Sequence, residues 1–224
     1  FMSCISVAID GPSASGKSTI AKLLAKRLGF IYIDTGAMYR AYTLACLKNN
    51  IDCKDEIASE ELIGKIKIGF NELNHVTIDG LDVEKEIRKN DVADNVSYIA
   101  SYKNIRLFLV ASQREFAKNN NIIMDGRDIG TYVLEDATIK FYQVADVNER
   151  AKRRYKENIE KGIETTFEDC LENLNKRDYI DSHRSFCPLR KAEDSIEINT
   201  TNLNIEDVLN MMLLYMKERG LLNE

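Results

Sequence analysis

The stretch Gly11-Pro12-Ser13-Ala14-Ser15-Gly16-Lys17-Ser18 constrains this chain more than any other. It spells G-x-x-x-x-G-K-[ST], and both of its flanks suit it. Ahead of it, Ile5-Ser6-Val7-Ala8-Ile9 is a short β-branched run that predicts a buried strand. Behind it, residues 18–29 carry apolar side chains at 20, 23, 24 and 28 and end on Gly29, which predicts a helix with a glycine stop. A strand, a glycine loop and a helix together build an anion cradle. Backbone N–H groups and the positive helix N-terminus face the phosphates, Lys17 reaches the outer ones, and the Ser18 hydroxyl can hold Mg²⁺. With Thr19 added, residues 11–19 form the candidate site for a nucleoside triphosphate.

The 224 residues suffice for one good core with a small inserted subdomain. Phe1, ahead of Met2, is set aside. No long apolar run could span a bilayer, and no charged-then-apolar leader is expected before the first strand. The cysteines at 4, 46, 53, 170 and 187 form no C-x-x-C pair, and their odd number and scatter argue against a disulfide framework. With two histidines, a zinc site is not expected either. These features predict a cytoplasmic enzyme in reducing surroundings. A net charge of −5 disfavours a nucleic-acid polymer as partner. Positive charge is nonetheless concentrated at Arg150, Lys152, Arg153, Arg154 and Lys156, and again at Lys176, Arg177 and Arg184. That pattern suits a small polyanionic ligand.

Strand and helix patterns alternate along the first part of the chain. Phe30-Ile31-Tyr32-Ile33-Asp34 predicts a second strand and 37–47 a second helix. Residues 64–90 break the rhythm with short alternating runs, 66–70, 76–78 and 81–83, separated by Asn71-Glu72-Leu73-Asn74 and Asp79-Gly80. Such turns predict a small antiparallel sheet. A helix-like stretch over 91–118 follows, then strands at 122–125 and 138–144. A charged helix is expected to start near Asp146, with Glu149 as a capping-box residue. Phe167, Cys170, Leu171 and Leu174 give the next helix an apolar face, 195–198 reads as a last strand, and 205–219 as a last helix with Met211, Met212 and Met216 in the core. The expected fold is α/β: a five-stranded, mostly parallel sheet with helices on both faces, an antiparallel β insert on the acceptor side, and a helical lid. The domains are then 2–63 and 91–224 as the core, with the lid at about 146–165, and 64–90 as the inserted acceptor-binding subdomain.

A nucleotide-dependent switch and a phosphotransferase compete for this cradle. Asn175-Lys176-Arg177-Asp178 matches the guanine-reading N-K-x-D, but it ends a helical pattern where a buried strand is required, and no D-x-x-G occurs. A kinase for a phosphorylated acceptor needs guanidinium groups for the acceptor phosphate, cations for the transferring group, and polar groups for base and sugar. Candidates exist for each. Asp34-Thr35-Gly36-Ala37-Met38-Tyr39-Arg40 and Asp125-Gly126-Arg127-Asp128 both lie at strand ends, where α/β sheets bind ligands. Arg150, Arg153 and Arg154 stand at i, i+3 and i+4 and share one helix face. Lys17 and these three are the candidate catalytic residues.

These landmarks resemble the bacterial cytidylate kinases, P-loop nucleoside monophosphate kinases. I-D-G-P-S-A-S-G-K-S-T, I-D-T-G-A-M-Y-R, V-A-D-N-V-S with Arg106 beyond it, M-D-G-R-D-I-G-T, E-R-A-K-R-R and K-R-D-Y-I-D-S-H-R occur in order over almost the whole chain. The resemblance implies phosphoryl transfer from ATP to CMP and dCMP, with Mg²⁺; a monomer is expected. It implies that Ser97, Arg106 and Asp128 read cytosine with Arg184 nearby. It also implies that Arg177 and Asp181 bind the sugar hydroxyls, and that Arg40 and Arg127 hold the acceptor phosphate. Thr35 stands where the family often has serine and keeps the hydroxyl; Ser18 stands where some members have glycine. Asp125, ending a strand beside the cradle, could hold Mg²⁺ through water. The chemistry stands beside the resemblance: a carboxylate such as Asp128 can accept from the cytosine amine, while Arg106 and Ser97 can donate to N3 and O2. The alternatives are a P-loop kinase for another nucleoside monophosphate or small metabolite and, more distantly, a nucleotide-binding switch.

Overall fold

A computed structural model describes residues 4–222; Phe1 and the outermost residues of the expected core at either end lie outside the described residues. The chain runs through β1 (Ser6–Asp10), α1 (Lys17–Leu28), β2 (Ile31–Asp34), α2 (Thr35–Lys48) and α3 (Glu56–Glu60). It continues with β3 (Ile68–Phe70), β4 (Val76–Ile78), β5 (Leu81–Asp82), α4 (Asn90–Ile99), α5 (Lys103–Ala117) and β6 (Ile122–Gly126). After a π-type turn at Ile129–Val133 come β7 (Ile139–Val144), α6 (Val147–Glu160), α7 (Phe167–His183), β8 (Ile196–Asn199) and α8 (Ile205–Glu218).

Five strands form one parallel sheet in the order β2-β6-β1-β7-β8. β1 is its centre, parallel to β6 and to β7, with Asp10 opposite both Gly126 and Tyr142. The chain leaves β1 for β2 on one side and later enters β7 on the other, so the C-terminal end of β1 lies at the topological switch point. That end carries the glycine loop. The near-continuous apolar runs of β1 and β6 follow from burial on both faces: Val7, Ala8, Ile9, Ile122, Ile123 and Met124 are all fully buried. At roughly 1.5–3 kcal/mol per large side chain, this core with Leu24, Phe141, Met212 and Met216 dominates the stability of the sheet. α1 turns Ile20, Ala21, Leu24 and Ala25 inward. Leu23, expected on that face, is exposed, the inward stripe being those four residues. Gly29 stops the helix in the left-handed region at φ 67, donating to the Ala25 carbonyl.

The chain forms two compact units, divided within β2. The first comprises 4–32, Asn119–His183 and 187–222; the second comprises Ile33–Lys118 with Arg184–Phe186. In the second unit β3, β4 and β5 form an antiparallel sheet, with Ile68 opposite Ile78 and Ile78 opposite Leu81. Its core includes Met38, Tyr42, Val76, Ile87, Val92, Ile99, Ile105 and Leu109. Residues 64–90 thus lie within a larger unit that also holds α2 to α5.

Two local features differ from the sequence pattern. The stretch 91–118 is two helices, broken at 100–102. Tyr102 is extended there, at φ −77 and ψ 122, and its hydroxyl donates to the Cys53 carbonyl at 2.9 Å, a long-range bond that local periodicity does not reveal. The five-residue α3 was not anticipated; it is too short to show a period and is set by Asp55, whose side chain accepts from Ala58 N.

Candidate active site

The glycine loop is a strained, left-handed-rich segment held from behind. Gly11, Ala14 and Gly16 have φ of 155, 58 and 90. A Cβ at Gly11 would fall 2.0 Å from the Gln143 carbonyl oxygen, so no side chain is possible there. Gln143 Nε2 donates to the Ser15 carbonyl at 2.6 Å, and Thr200 Oγ1 donates to the same oxygen at 3.2 Å. The sequence reading missed both residues. The available signal was Gln143 itself, a polar residue inside the predicted strand 138–144. Lys17 is buried and donates to the Pro12 carbonyl at 3.0 Å, folding back over the loop.

Ser18 and Asp125, singled out separately in the sequence, meet. Ser18 Oγ donates to Asp125 Oδ2 at 2.6 Å, and the Tyr32 hydroxyl donates to Oδ1 at 2.7 Å. The parallel register that sets Ile9 beside Asp125 puts this carboxylate next to the loop. Hydroxyl and carboxylate oxygens are hard donors. One carboxylate beside a phosphate cradle fits Mg²⁺, which keeps water and substrate phosphates as its other ligands. Among the described residues no group of three or more His, Cys, Asp or Glu is placed to hold a metal.

The three arginines of α6 part company. Arg150 is buried, with Nη1 2.7 Å from Asp178 Oδ2 on α7 and 3.0 Å from the Ser13 carbonyl, while Nε donates to the Ala145 carbonyl at 3.0 Å. Arg153 donates to the Thr200 carbonyl at 2.7 Å. Arg154 makes a loose pair with Glu157 at 3.4 Å, one turn along its own helix. Past β6, Arg127 Nε lies 2.8 Å from Asp181 Oδ2 on α7. Arg177, one turn before Asp181, is drawn well below the usual guanidinium range, to about 10, by burial and then by the like charge of Arg127. Its Nε has no hydrogen-bond partner among the described residues. Two neighbouring half-buried guanidinium groups form a place where an anion would be stabilised.

Asp10 is the main acidic group that sequence reading passed over. It is buried, and burial pushes its carboxyl up to about 7 despite hydrogen bonds from the Gly130 and Ile129 amides. Asp128, just before those amides, is also buried.

In the second unit Arg106 is 1% exposed. Its Nη1 donates to the Ala100 carbonyl at 2.9 Å, and Arg184 Nη1 approaches the same oxygen at 3.3 Å. The guanidinium of Arg106 lies 5.0 Å from the centre of the Tyr39 ring. Ser97 is buried on α4, Thr35 is buried at the start of α2, and Arg40 is half-buried on α2. Asp34 caps α2 by accepting from Ala37 N at 2.8 Å, which sets the helix start that carries Thr35 and Arg40.

A lysine-bearing phosphate cradle at the switch point of a parallel sheet, with arginines beside it, is the architecture of the P-loop kinases. Solved structures of that class share the fold. A shikimate kinase from Acinetobacter baumannii has a TM-score of 0.52 at 14% identity, covering 98% of this chain and 97% of that one. A gluconokinase from Sinorhizobium meliloti has a TM-score of 0.51 at 11% identity, covering 96% and 92%. Within the class the sequence is specific. Residues 7–218 match the cytidylate kinase family model. The cytidylate kinase of Bacillus velezensis is 46% identical over 219 residues, 96% of this chain and 98% of the relative. That of Leuconostoc mesenteroides is 49% identical over 211 residues, 93% and 94%. The chain belongs to the cytidylate kinase family, and it is an enzyme, a nucleoside monophosphate kinase.

Proposed function

We propose that this enzyme transfers the γ-phosphoryl group of ATP to CMP, and to dCMP, by direct in-line attack of the acceptor phosphate. The observation that carries the reading is what β6 delivers at its end. Asp125 sits on the hydroxyl of the cradle, and Arg127, two residues on, pairs with Asp181. Donor and acceptor chemistry are thus served from one short segment. ATP takes residues 11–19, with the loop amides on its phosphates and Lys17 released from the Pro12 carbonyl onto the outer ones. Ser18 and Asp125 would hold Mg²⁺, which supplies charge neutralisation on the transferring phosphates when bound. Arg127 and Arg40 hold the acceptor phosphate. Arg177 and Asp181 bind the sugar hydroxyls, Thr35 adds a hydroxyl contact, and Asp128, Ser97 and Arg106 with Arg184 nearby read the cytosine edge. Arg154 supplies positive charge to the transferring group, while Arg150 and Arg153 hold the helix that carries it. No side chain need act as a nucleophile, so catalysis is positioning plus charge stabilisation.

We further place the enzyme in the cytoplasm, acting as a monomer in pyrimidine nucleotide metabolism. Among the described residues no helix is long and apolar enough to cross a membrane. An ADP-release assay with ATP and, in turn, CMP, dCMP, UMP, AMP, GMP and shikimate tests the reading. CMP and dCMP should give the highest kcat/KM; equal efficiency on CMP and AMP would leave only a general kinase.

A further inference from the structure

The carboxylate of Asp10 reaches across the sheet to a turn 119 residues away in sequence. Oδ1 accepts from Ile129 N at 2.8 Å and Oδ2 accepts from Gly130 N at 2.8 Å. These two amides open the π-type turn Ile129–Val133, which closes on the Asp128 carbonyl through Tyr132 N at 2.9 Å and Val133 N at 3.1 Å. The first amides of any helical turn lack an internal acceptor and need one from outside. Ordinarily the side chain just ahead of the turn supplies it. Here that residue is Asp128, and its side chain makes no capping hydrogen bond. Asp10 takes over the task from the strand that leads into the glycine loop. Gly130 leaves room on this side of the clamp: a Cβ there would press on the flexible Lys140 side chain, 3.0 Å from Cδ, and would come within 3.4 Å of Asp10 Oδ2.

We propose that Asp10 is a positioning residue for the acceptor side of the reaction. By clamping the amides of Ile129 and Gly130 it fixes the backbone that carries Arg127 and Asp128 in register with the phosphate cradle, and it releases the Asp128 carboxylate from capping its own turn. The inference rests on the reading that Arg127 and Asp128 serve the acceptor. A buried carboxylate is a costly way to close a turn, and the chain keeps one where two rigid elements of the reaction meet. The amide of an asparagine could satisfy only one of the two N–H groups and would set its own NH₂ against the other.

The test compares Asp10→Asn with Arg127→Ala and Asp128→Ala by steady-state kinetics, with ATP binding measured separately by calorimetry. Asp10→Asn should raise KM for CMP and lower kcat, together costing between about ten- and a hundredfold in kcat/KM, the scale of a misplaced reacting group. The Kd for ATP should stay within about twofold of wild type, which a general loosening of the fold would not allow. If ATP binding weakens as much as CMP use, or if neither changes, Asp10 is not a positioning residue for the acceptor. If Arg127→Ala and Asp128→Ala leave CMP kinetics intact, the reading of the acceptor site fails instead. Amide hydrogen exchange on the wild-type protein gives a check without any variant: the amides of Ile129 and Gly130 should be strongly protected, and exchange at loop-like rates would overturn the clamp.

Discussion

Arg150 and Asp178 join α6 to α7 through a 2.7 Å ion pair, and the same Arg150 nitrogen donates to the Ser13 carbonyl of the glycine loop. A residue so engaged anchors its helix. Arg153, donating to the Thr200 carbonyl, anchors it a second time. Among the described residues Arg154 is paired with Glu157 of its own helix alone. Any lid closure must therefore occur beyond these anchors, in the part of α6 from Arg154 onward and the segment up to about residue 165. Hydrogen exchange with and without both nucleotides should change over 154–165 and little over 146–153. No change anywhere in 146–165 would remove the lid from the mechanism.

The two arginines should also separate by mutation. Arg150→Ala takes from the half-buried Asp178 its 2.7 Å partner, leaving it only the more distant charges of Arg127 and Arg177, and should cost about 1–3 kcal/mol of stability, with weaker ATP binding through the loosened loop. Arg154→Ala loses a pair worth under about 1 kcal/mol and should act on kcat with little effect on melting temperature. Equal thermal destabilisation by the two substitutions would contradict this division.

Lys17→Ala should lower kcat by roughly a hundredfold or more, the scale of losing one preorganised charge on a transition state. Its hydrogen bond to the Pro12 carbonyl lies within the loop itself, so the loss should fall on kcat far more than on melting temperature. Near-normal turnover in the purified variant would take Lys17 out of the reaction.

Asp10 predicts a pH dependence of stability in the nucleotide-free protein. Burial raises its carboxyl from 3.8 to about 7, with Asp128 adding to the rise and Lys17 opposing it. Between about pH 4 and pH 7 the folded protein holds a proton that the unfolded chain has released. Stability is therefore greatest at the acid side of this window and falls as pH rises through it, by about 1.4 kcal/mol per unit and on the order of 4 kcal/mol in all. Above pH 7 this contribution is flat. Asp10→Asn should remove the slope, which urea denaturation across pH 4–8 would detect; an identical slope in the variant would assign it to other groups.

Base choice should depend on Arg106 and Ser97, both buried in the second unit. A site built on hydrogen bonds rejects a ligand that leaves its groups unpaired, by up to roughly 10⁴-fold. Cytosine and uracil differ at N3 and at the 4-position, so wild type should prefer CMP to UMP. Arg106→Met and Ser97→Ala should narrow that preference while ATP kinetics stay near normal. A CMP-to-UMP ratio untouched by both substitutions would place base reading elsewhere.

Local chemistry made much of this enzyme legible in one dimension. The glycine loop is written in backbone terms: Gly11 stands where a Cβ would meet a carbonyl at 2.0 Å, and such a requirement is met by residue type at a fixed place. The buried runs of β1 and β6, the stop at Gly29 and the hairpin signal Asp79-Gly80 depend on neighbours a few residues apart, and the structure keeps them. Ser18 and Asp125 could be named separately because each closes or opens an element beside the cradle. The relationships between elements were decided only by tertiary packing. Helical spacing put Arg150, Arg153 and Arg154 on one face, yet it carried no information that Asp178 and the Ser13 and Thr200 carbonyls would engage two of them and leave the third to its own helix. Gln143 behind the loop and Asp10 on its amides are ordinary polar residues until a strand register sets them opposite groups more than a hundred residues away. Periodicity and turn chemistry are short-range properties of the chain, whereas desolvation and charge pairing are properties of whatever the fold brings near.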